Sequence, residues 1–331
     1  MKCITFNGAG GPEVITLSER PIPELTTEHD ILIEVAAAGV NGPDVLQRQG
    51  MYAPPAGVTD IPGLELSGVV KQVGAAVTKF KVGDQVCALV QGGAYAEYVI
   101  AHQDNTMPIP EGLSLVEAGI LLETFMTVWG HLFQHAKFRP NSSILIHGGT
   151  SGIGTTATML TRAFGATQIF TTVSSEVSQQ ASLALGTDVA INYKEQDFVA
   201  EVKKHTNGKG VDFILDIVGG DYIQRNYSAA AMHGTILQVG LLQGRAESVN
   251  FFPMLAKRLT HLGATLRSQS IEEKAQIMAE LQEKVWPLIA KGQLKPQLYQ
   301  AFDLADTQAA HELLTQSKHI GKVALIMKKQ A

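Results

Sequence analysis

The chain has 331 residues, of which 45% are apolar and 17% charged, and its formal net charge is −5. This length exceeds the size at which a single hydrophobic core keeps growing, so we expect two domains. The net negative charge and the lack of a long Lys/Arg run argue against nucleic acid binding, which relies on a basic surface.

The sequence carries no sign of a membrane segment or of a disulfide framework. Its N-terminus lacks an apolar signal core, and no run approaches the roughly 18 apolar residues of a membrane span. Only Cys3 and Cys87 are present, far apart and in apolar surroundings, which excludes a disulfide framework and a cysteine-based zinc site. These features predict a cytoplasmic protein without a membrane partner.

The first third of the chain alternates short apolar runs with Gly and Pro. The runs cover residues 30–36, 66–73, 85–90 and 94–100. Such spacing is typical of an antiparallel, β-rich domain with barrel character, and helical patterns are scarce there.

From about Glu123 onward, helical patterns alternate with compact Val/Ile/Leu runs. Each run predicts a strand that is buried on both faces, and the runs are 143–147, 168–173, 189–193, 211–216 and 235–239. This alternation predicts an α/β fold with a doubly wound parallel sheet, the Rossmann fold. We place the dinucleotide-binding domain at 124–265, and we expect 1–123 and 266–331 to form the other domain together.

A glycine-rich turn from Gly148 to Gly154 follows the first of these buried strands. Glycine lets the backbone approach a pyrophosphate closely, and the following helix directs free N–H groups at it. The turn predicts dinucleotide contacts from Gly148, Gly149, Ser151, Gly152, Ile153 and Gly154. A P-loop would need Lys where Thr155 stands, and none of the seven tyrosines has the Lys four residues later that short-chain dehydrogenases require.

The end of the second strand bears on the choice of dinucleotide. An NAD enzyme normally places Asp or Glu there to bind the ribose diol, whereas here Val173 is followed by Ser174 and Ser175. Two small hydroxyls leave room for a 2′-phosphate and favour NADPH, although Glu176 is close in sequence. Tyr193 either lies beside the adenosine or packs on the sheet.

Positive partners for the phosphate are expected as well. Lys194 and Lys318 are the candidates, because a lysine ammonium makes charge-assisted hydrogen bonds with phosphate oxygens.

Several further segments, spread over nearly the whole chain, match one known family. They are residues 37–41 with Asp44, 48–52, 62–68, 82–84, 108–113, 148–154, 191–193, 216–220 and 319–322. Through them the chain resembles the zinc-independent quinone oxidoreductases of the medium-chain dehydrogenase/reductase superfamily, most of all their p53-inducible subgroup. The resemblance implies a Rossmann domain beside a β-rich, GroES-like catalytic domain, and a homodimer.

The resemblance also identifies the positions that hold zinc in the alcohol dehydrogenase branch of the superfamily. The Cys expected near Val40 is missing, the His expected after Gly63 is Leu64, and the later Cys is Glu123. The four-cysteine structural lobe is absent as well. We therefore expect neither catalytic nor structural zinc.

A site without zinc favours a particular class of acceptor. Alcohol oxidation needs a Lewis acid or a base to form the alkoxide, whereas a quinone or conjugated enone spreads the arriving charge over its own π-system. The resemblance places Asn41, Tyr52 and Thr127 at the nicotinamide and the acceptor, where Asn41 or Tyr52 hydrogen-bonds the developing oxyanion. Structural roles as a turn cap, a loop aromatic and a helix-interior residue remain open for these three.

The same resemblance places nicotinamide and ribose contacts at the ends of later strands. The residues concerned are Val218, Val239, Gly240, Leu241 and Leu242. Together these features predict an enzyme that transfers hydride from NADPH to a quinone. Two alternatives stay open, a reductase of α,β-unsaturated carbonyls or enoyl thioesters and a non-catalytic protein that binds or senses NADPH.

Overall fold

The computed structural model describes residues 1–327, which divide into two compact units. Unit 1 comprises Met1–Met126 together with the segment that begins at Arg267, and unit 2 comprises Thr127–Leu266. Unit 2 therefore begins three residues after the predicted start at 124 and ends one residue after the predicted end at 265.

The first segment of unit 1 is rich in strands, as its sequence predicts. Its elements are β1 (Lys2–Phe6), β2 (Ile15–Glu19), β3 (Asp30–Val40), α1 (Gly42–Arg48), β4 (Glu65–Val73), β5 (Gln85–Leu89), β6 (Tyr98–His102), β7 (Thr106–Pro108), α2 (Leu115–Ala118) and α3 (Leu122–Val128). Helix α3 carries the chain into unit 2.

Unit 2 alternates strands and helices after a π-helical turn at Trp129–His135. Its elements are β8 (Ser143–His147), α4 (Gly152–Ala163), β9 (Gln168–Val173), α5 (Glu176–Ala184), β10 (Val189–Asn192), α6 (Phe198–His205), β11 (Val211–Asp216), α7 (Tyr222–Ala229), β12 (Ala230–Gln238), α8 (Phe252–Lys257) and β13 (Thr260–Gly263). The returning segment of unit 1 contains α9 (Ile271–Lys284), α10 (Trp286–Ala290), β14 (Leu298–Asp303), α11 (Thr307–Gln316) and β15 (Lys322–Ile326).

Both ends of the chain contribute strands to the main sheet of unit 1. Within the described residues the strand order is β14-β15-β3-β4-β5-β7, with β6 also paired to β3. Strand β3 runs to Val40 and not only to residue 36, because its last residues pair with β15, as in the Val323–Val40 pair. The run 94–100 forms a strand only from Tyr98 onward. Its core includes Ile31, Ile33 and Leu66.

The sheet of unit 2 is parallel throughout, in the order β10-β9-β8-β11-β12-β13. Its inner strands are almost completely buried, and Leu145, Phe170 and Ile214 lie in the core. The predicted doubly wound α/β class is confirmed. The short edge strand β13 was not predicted, since its sequence Thr-His-Leu-Gly lacks a compact apolar run.

None of the helices within residues 1–327 combines the length and the apolar character that a membrane crossing requires.

Candidate functional site

The carboxyl ends of the strands in unit 2 lie along one edge of the sheet, because all neighbouring strands are parallel. The segments that follow β10, β9, β8, β11 and β12 therefore lie side by side. They contain the predicted residues Tyr193, Ser174, Ser175, Gly148, Gly149, Ser151, Val218, Val239, Gly240, Leu241 and Leu242. Sequence reasoning thus selected a set that the fold brings to one edge.

The glycine turn is packed so closely that side chains do not fit at two of its positions. A Cβ atom on Gly149 would lie 2.5 Å from Thr171 Cβ, and one on Gly154 would overlap the Gly148 carbonyl oxygen. Gly148 itself has φ +72°, in the left-handed region. The turn therefore packs directly on strand β9 and helix α4 and exposes backbone where side chains would otherwise stand.

Ser151 shapes the start of helix α4. Its hydroxyl accepts a hydrogen bond from the Gly154 N–H at 3.0 Å and donates one to the Gly148 carbonyl at 2.7 Å. Within residues 1–327, the N–H groups of Gly152 and Ile153 have no acceptor. Free amides at the positive end of a 12-residue helix suit a phosphate, so the residues present fit a dinucleotide pyrophosphate.

A buried hydrogen-bond chain that the sequence did not reveal supports this turn from below. Asn226 donates to Asp216 at 2.8 Å, so its side-chain oxygen accepts from His147 Nε2 at 2.7 Å. His147 Nδ1 then accepts from the Thr172 hydroxyl at 3.1 Å, and that hydroxyl oxygen accepts from the Gly148 N–H at 3.2 Å. Burial lowers the pKa of His147, which keeps the imidazole neutral, as this chain of donors requires.

The same chain fixes the segment after β11. Asp216 Oδ1 accepts from the Val218 N–H at 2.6 Å and from the Gly219 N–H at 3.0 Å. The Val239 N–H donates to the Asp216 carbonyl at 2.9 Å. Asp216 thereby connects the glycine turn with the predicted nicotinamide contacts at the ends of β11 and β12.

Ser174 and Tyr193 follow two neighbouring strands whose last residues are paired, Val173 with Asn192. The Tyr193 N–H donates to the Val173 carbonyl at 3.0 Å, and the Tyr193 side chain is 43% exposed. An exposed ring at this edge argues against the alternative that Tyr193 packs on the sheet.

The two serines at this tip differ in what their hydroxyls do. Ser175 caps helix α5, accepting from the Ser178 N–H at 3.2 Å and donating to the Ser178 hydroxyl at 3.0 Å. Ser174 is half-buried, and its hydroxyl has no hydrogen-bond partner in the described part of the chain. Glu176 is the first residue of helix α5 and is exposed. Ser174 is therefore the hydroxyl that a ligand can engage.

Asn41 stands in unit 1, where its amide is fully occupied. It is 6% exposed, and Nδ2 donates to Glu65 Oε1 at 3.0 Å and to the Gly39 carbonyl at 3.3 Å. Its Oδ1 accepts from Lys322, whose ammonium also contacts Glu65 at 2.7 Å. Both amide protons of Asn41 thus serve the interior of unit 1.

The carboxyl groups of Asp44, Glu65 and Glu123 lie near one another in this part of unit 1, and two of them have raised pKa values. Burial raises the pKa of Asp44 to about 6, although hydrogen bonds from the backbone of Asn41 and from the Tyr95 hydroxyl oppose the shift. Burial, followed by the neighbouring Glu65 carboxylate, raises the pKa of Glu123 to about 8. Glu123 is therefore mostly protonated at neutral pH.

Tyr52 lies in the loop after α1, half-buried, with the guanidinium carbon of Arg267 5.0 Å from the centre of its ring. No residue between 1 and 327 hydrogen-bonds its hydroxyl. Of the two predicted catalytic residues in unit 1, Asn41 is occupied by internal hydrogen bonds, and Tyr52 has a hydroxyl that is free to bind a ligand. Arg267, Glu65 and Lys322 were missed by sequence reasoning, and the matched segments 62–68 and 319–322 were the only signal for the last two.

Two predicted residues lie neither at the sheet edge of unit 2 nor among the contacts of Asn41 and Tyr52 in unit 1. Thr127 is in α3 and is the first residue of unit 2, while Lys318 is exposed between α11 and β15 in unit 1. Both assignments stay predictions. Within residues 1–327, no three or more His, Cys, Asp or Glu side chains are arranged to hold a metal ion.

Comparison with known families identifies both parts of the chain. The family model described as "Alcohol dehydrogenase GroES-like domain" matches residues 27–111, and the one described as "Zinc-binding dehydrogenase" matches 152–283. The quinone oxidoreductase of Rattus norvegicus is 30% identical over 329 residues, which cover 99% of this chain and 98% of the rat protein. The predicted GroES-like character of the β-rich part is confirmed.

Solved structures that are similar over nearly the whole chain carry different activities in their names. A quinone oxidoreductase of Escherichia coli complexed with NADPH has a TM-score of 0.88 at 30% identity, covering 98% of this chain and 100% of its own. An NAD-dependent alcohol dehydrogenase also reaches 0.88, at 28% identity, with 99% and 100% covered. The CurK enoyl reductase reaches 0.84 at 26% identity, with 99% of both chains covered.

Proposed function

The chain belongs to the quinone oxidoreductase family of the medium-chain dehydrogenase/reductase superfamily, and we propose that it reduces quinones with NADPH, without zinc. The observation that carries this proposal is the pair of free amides, Gly152 and Ile153, at the end of a close-packed glycine turn. They lie on the sheet edge that also holds the exposed Tyr193 ring and the free Ser174 hydroxyl.

The residues of unit 2 would bind the cofactor along that edge. Gly152 and Ile153 donate to the pyrophosphate, and Ser174 and Tyr193 accommodate the 2′-phosphate, with Lys318 and Lys194 as candidate positive partners. When bound, NADPH supplies a hydride from nicotinamide C4. The nicotinamide would be oriented by Thr127, Val218 and residues 239–242.

The acceptor is oriented by unit 1, and Tyr52 is its hydrogen-bond donor. A quinone oxygen gains negative charge as it is reduced, and the free hydroxyl of Tyr52 can donate to it. Asn41 has a supporting role, since both of its amide protons already serve Glu65 and the Gly39 carbonyl. Its task is to hold Glu65 and Lys322 in place.

Zinc has no donor set at the positions where the alcohol dehydrogenase branch binds it. Val40 and Leu64 have hydrocarbon side chains, and Glu123 alone offers oxygen. A catalytic zinc site needs three protein ligands, so we propose metal-free reduction. Dialysis against a chelator is expected to leave the rate unchanged, and loss of activity that zinc restores would contradict this.

We extend the proposal to a cytoplasmic homodimer. Within residues 1–327, β13 pairs only with β12, so one side of this edge strand presents unpaired backbone groups. Phe252 and Leu255, just before it, are exposed. Light scattering is expected to give twice the mass of the chain, which is 35.5 kDa.

A second candidate function is reduction of enoyl thioesters or other α,β-unsaturated carbonyls. The observation that favours it is the likeness to CurK enoyl reductase over the whole chain. Tyr52 would serve an enone in the same way, because the enolate oxygen also develops negative charge.

The test measures NADPH oxidation with an ortho-quinone, a para-quinone, a 2-alkenal and an enoyl thioester, before and after Tyr52→Phe. We expect quinone turnover, and a loss of roughly ten- to a hundredfold in kcat/KM when the donor is removed. Tyr299→Phe is the control, since this exposed tyrosine of unit 1 undergoes the same chemical change. NADPH binding without any turnover would identify a non-catalytic NADPH-binding protein instead.

A further inference from the structure

Arg267 is a buried cation that the proposed function has not used. It is 8% exposed, and it is the first residue of unit 1 after the chain leaves unit 2 at Leu266. Its Nε and Nη2 both donate to the Gln91 carbonyl oxygen, at 3.1 and 2.6 Å. One edge of the guanidinium is therefore fixed to the segment just after β5.

The opposite side of this guanidinium is not neutralised. Nη1 is buried without a hydrogen-bond partner, and no carboxylate of residues 1–327 lies within ion-pairing distance of Arg267. The buried Lys274 donates to the Arg267 carbonyl oxygen at 3.2 Å, which brings a second cation close. Burying a charge without a partner is costly, so a fold that retains one there indicates a use for it.

Besides its hydrogen bonds, Arg267 contacts the ring of Tyr52. The guanidinium carbon lies 5.0 Å from the ring centre, within the range of a cation–π interaction. A ring held on a fixed plane has few orientations, so the direction of its hydroxyl is restricted as well. The Gln91 carbonyl oxygen thus holds the Arg267 guanidinium, and the guanidinium in turn holds the ring of Tyr52, which carries the free hydroxyl.

We propose that Arg267 is the positioning residue for Tyr52, and that its unpaired charge favours the negative charge that the acceptor oxygen gains during reduction. This inference rests on the proposed function, in which Tyr52 is the hydrogen-bond donor. Arg267 acts through the ring and through its electric field, so it changes the rate of reduction but not which bonds are made and broken in hydride transfer. If the guanidinium only packed the loop, its removal would lower kcat by the same factor for every acceptor.

The test compares Arg267→Gln and Arg267→Lys with the unmodified chain. Arg139→Gln is the matched control, since Arg139 is an exposed arginine that makes a cation–π contact 5.5 Å from Phe213 in unit 2. Each variant is assayed with para-quinones of decreasing electron affinity, and NADPH binding is measured separately by fluorescence.

For Arg267→Gln we expect kcat to fall by roughly ten- to a hundredfold for the weakest acceptors and less for the strongest, with KM for NADPH unchanged. Arg267→Lys restores part of the rate for weak acceptors because the charge is kept. Arg139→Gln has no effect. An equal loss for all acceptors, or no loss, would overturn the proposal.

A second readout does not depend on turnover. Hydrogen exchange of residues 49–60, followed by mass spectrometry, is expected to accelerate in Arg267→Gln and to stay unchanged in Arg139→Gln. Unchanged exchange in Arg267→Gln overturns the positioning role. If the unmodified chain reduces no quinone while its exchange pattern responds as expected, the proposed function fails and the contact between Arg267 and Tyr52 stands.

Discussion

Lys322 donates to the Glu65 carboxylate over 2.7 Å, and the two side chains are 5% and 1% exposed. The Lys322 ammonium also contacts the Val40 carbonyl and the Asn41 side chain, so all three of its protons are engaged. The pair joins the beginning of β15 to the beginning of β4 beside the cap of α1. Each charge is buried, and each depends on the other to offset its desolvation.

Lys322→Met is therefore expected to lower the free energy of unfolding by about 3–5 kcal/mol, because it leaves the Glu65 carboxylate buried without its partner. Urea denaturation measures the loss. Lys71→Met is the matched control, because Lys71 pairs with Glu34 at 3.0 Å near the surface. An exposed pair of this kind contributes less than about 1 kcal/mol. Equal losses in the two variants would show that burial does not govern the Lys322 pair.

The stability of the chain should depend on the protonation of Glu123. Its pKa is raised from 4.5 to about 8 in the folded state, so between these values the folded chain holds a proton that the unfolded chain has released. Its contribution to stability is full below pH 4.5 and is lost as pH rises to about 8. Glu123→Gln mimics the protonated acid and removes this dependence.

Urea denaturation of both proteins at pH 5.5 and pH 8.5 measures the effect. The unmodified chain should lose more stability between these two values than Glu123→Gln does. Parallel changes in the two proteins would mean that Glu123 titrates near its ordinary value.

Cofactor preference should respond to a charge at Ser174. Ser174→Asp places a carboxylate at the tip of β9, where it repels a 2′-phosphate and can bind the ribose diol. We expect the Kd for NADPH to rise about tenfold or more and the Kd for NADH to change little, since two like charges at contact cost about 1–4 kcal/mol. Fluorescence titration measures both. Ser174→Asn controls for size, and a similar loss in that variant would exclude electrostatic discrimination.

The glycine turn should not tolerate a methyl group at Gly154. A Cβ there overlaps the Gly148 carbonyl oxygen, so Gly154→Ala forces the turn away from helix α4 and displaces the free amides. We expect NADPH binding to be lost even where circular dichroism shows a folded chain. Gly263→Ala is the control, because nothing lies within 4 Å of its added atom. Retained NADPH affinity in Gly154→Ala would place the pyrophosphate elsewhere.

The sequence predicted the parts of the fold that local patterns determine. The buried strands of unit 2 are compact apolar runs between glycines, and the turn at Gly148 follows directly from them. The extension of β3 to Val40 was not predictable in this way, because it depends on pairing with β15. In that pairing Val40 lies opposite Val323, which is far away in the sequence. Edge strand β13 was missed because a short strand at an edge needs no apolar run.

The candidate site was predictable to a similar extent. Most of its unit 2 residues lie where parallel strands bind ligands, at the carboxyl ends of the strands. The resemblance, and not this rule, selected Thr127 and the residues after β11 and β12. Arg267 and Lys322 carry no such pattern, since each acquires its role from a partner far away in sequence, Tyr52 or Glu65. The hydrogen bonds that occupy the Asn41 amide were likewise not predictable from sequence, because its acceptor Glu65 is distant along the chain.

The most direct measurement is kcat/KM with NADPH for a quinone and for an enoyl thioester, determined on one preparation of the unmodified chain. We predict that the quinone is the better acceptor and that Tyr52→Phe reduces its turnover while NADPH affinity is kept. Faster reduction of the thioester, or tight NADPH binding with neither acceptor reduced, would contradict the assignment as a quinone reductase.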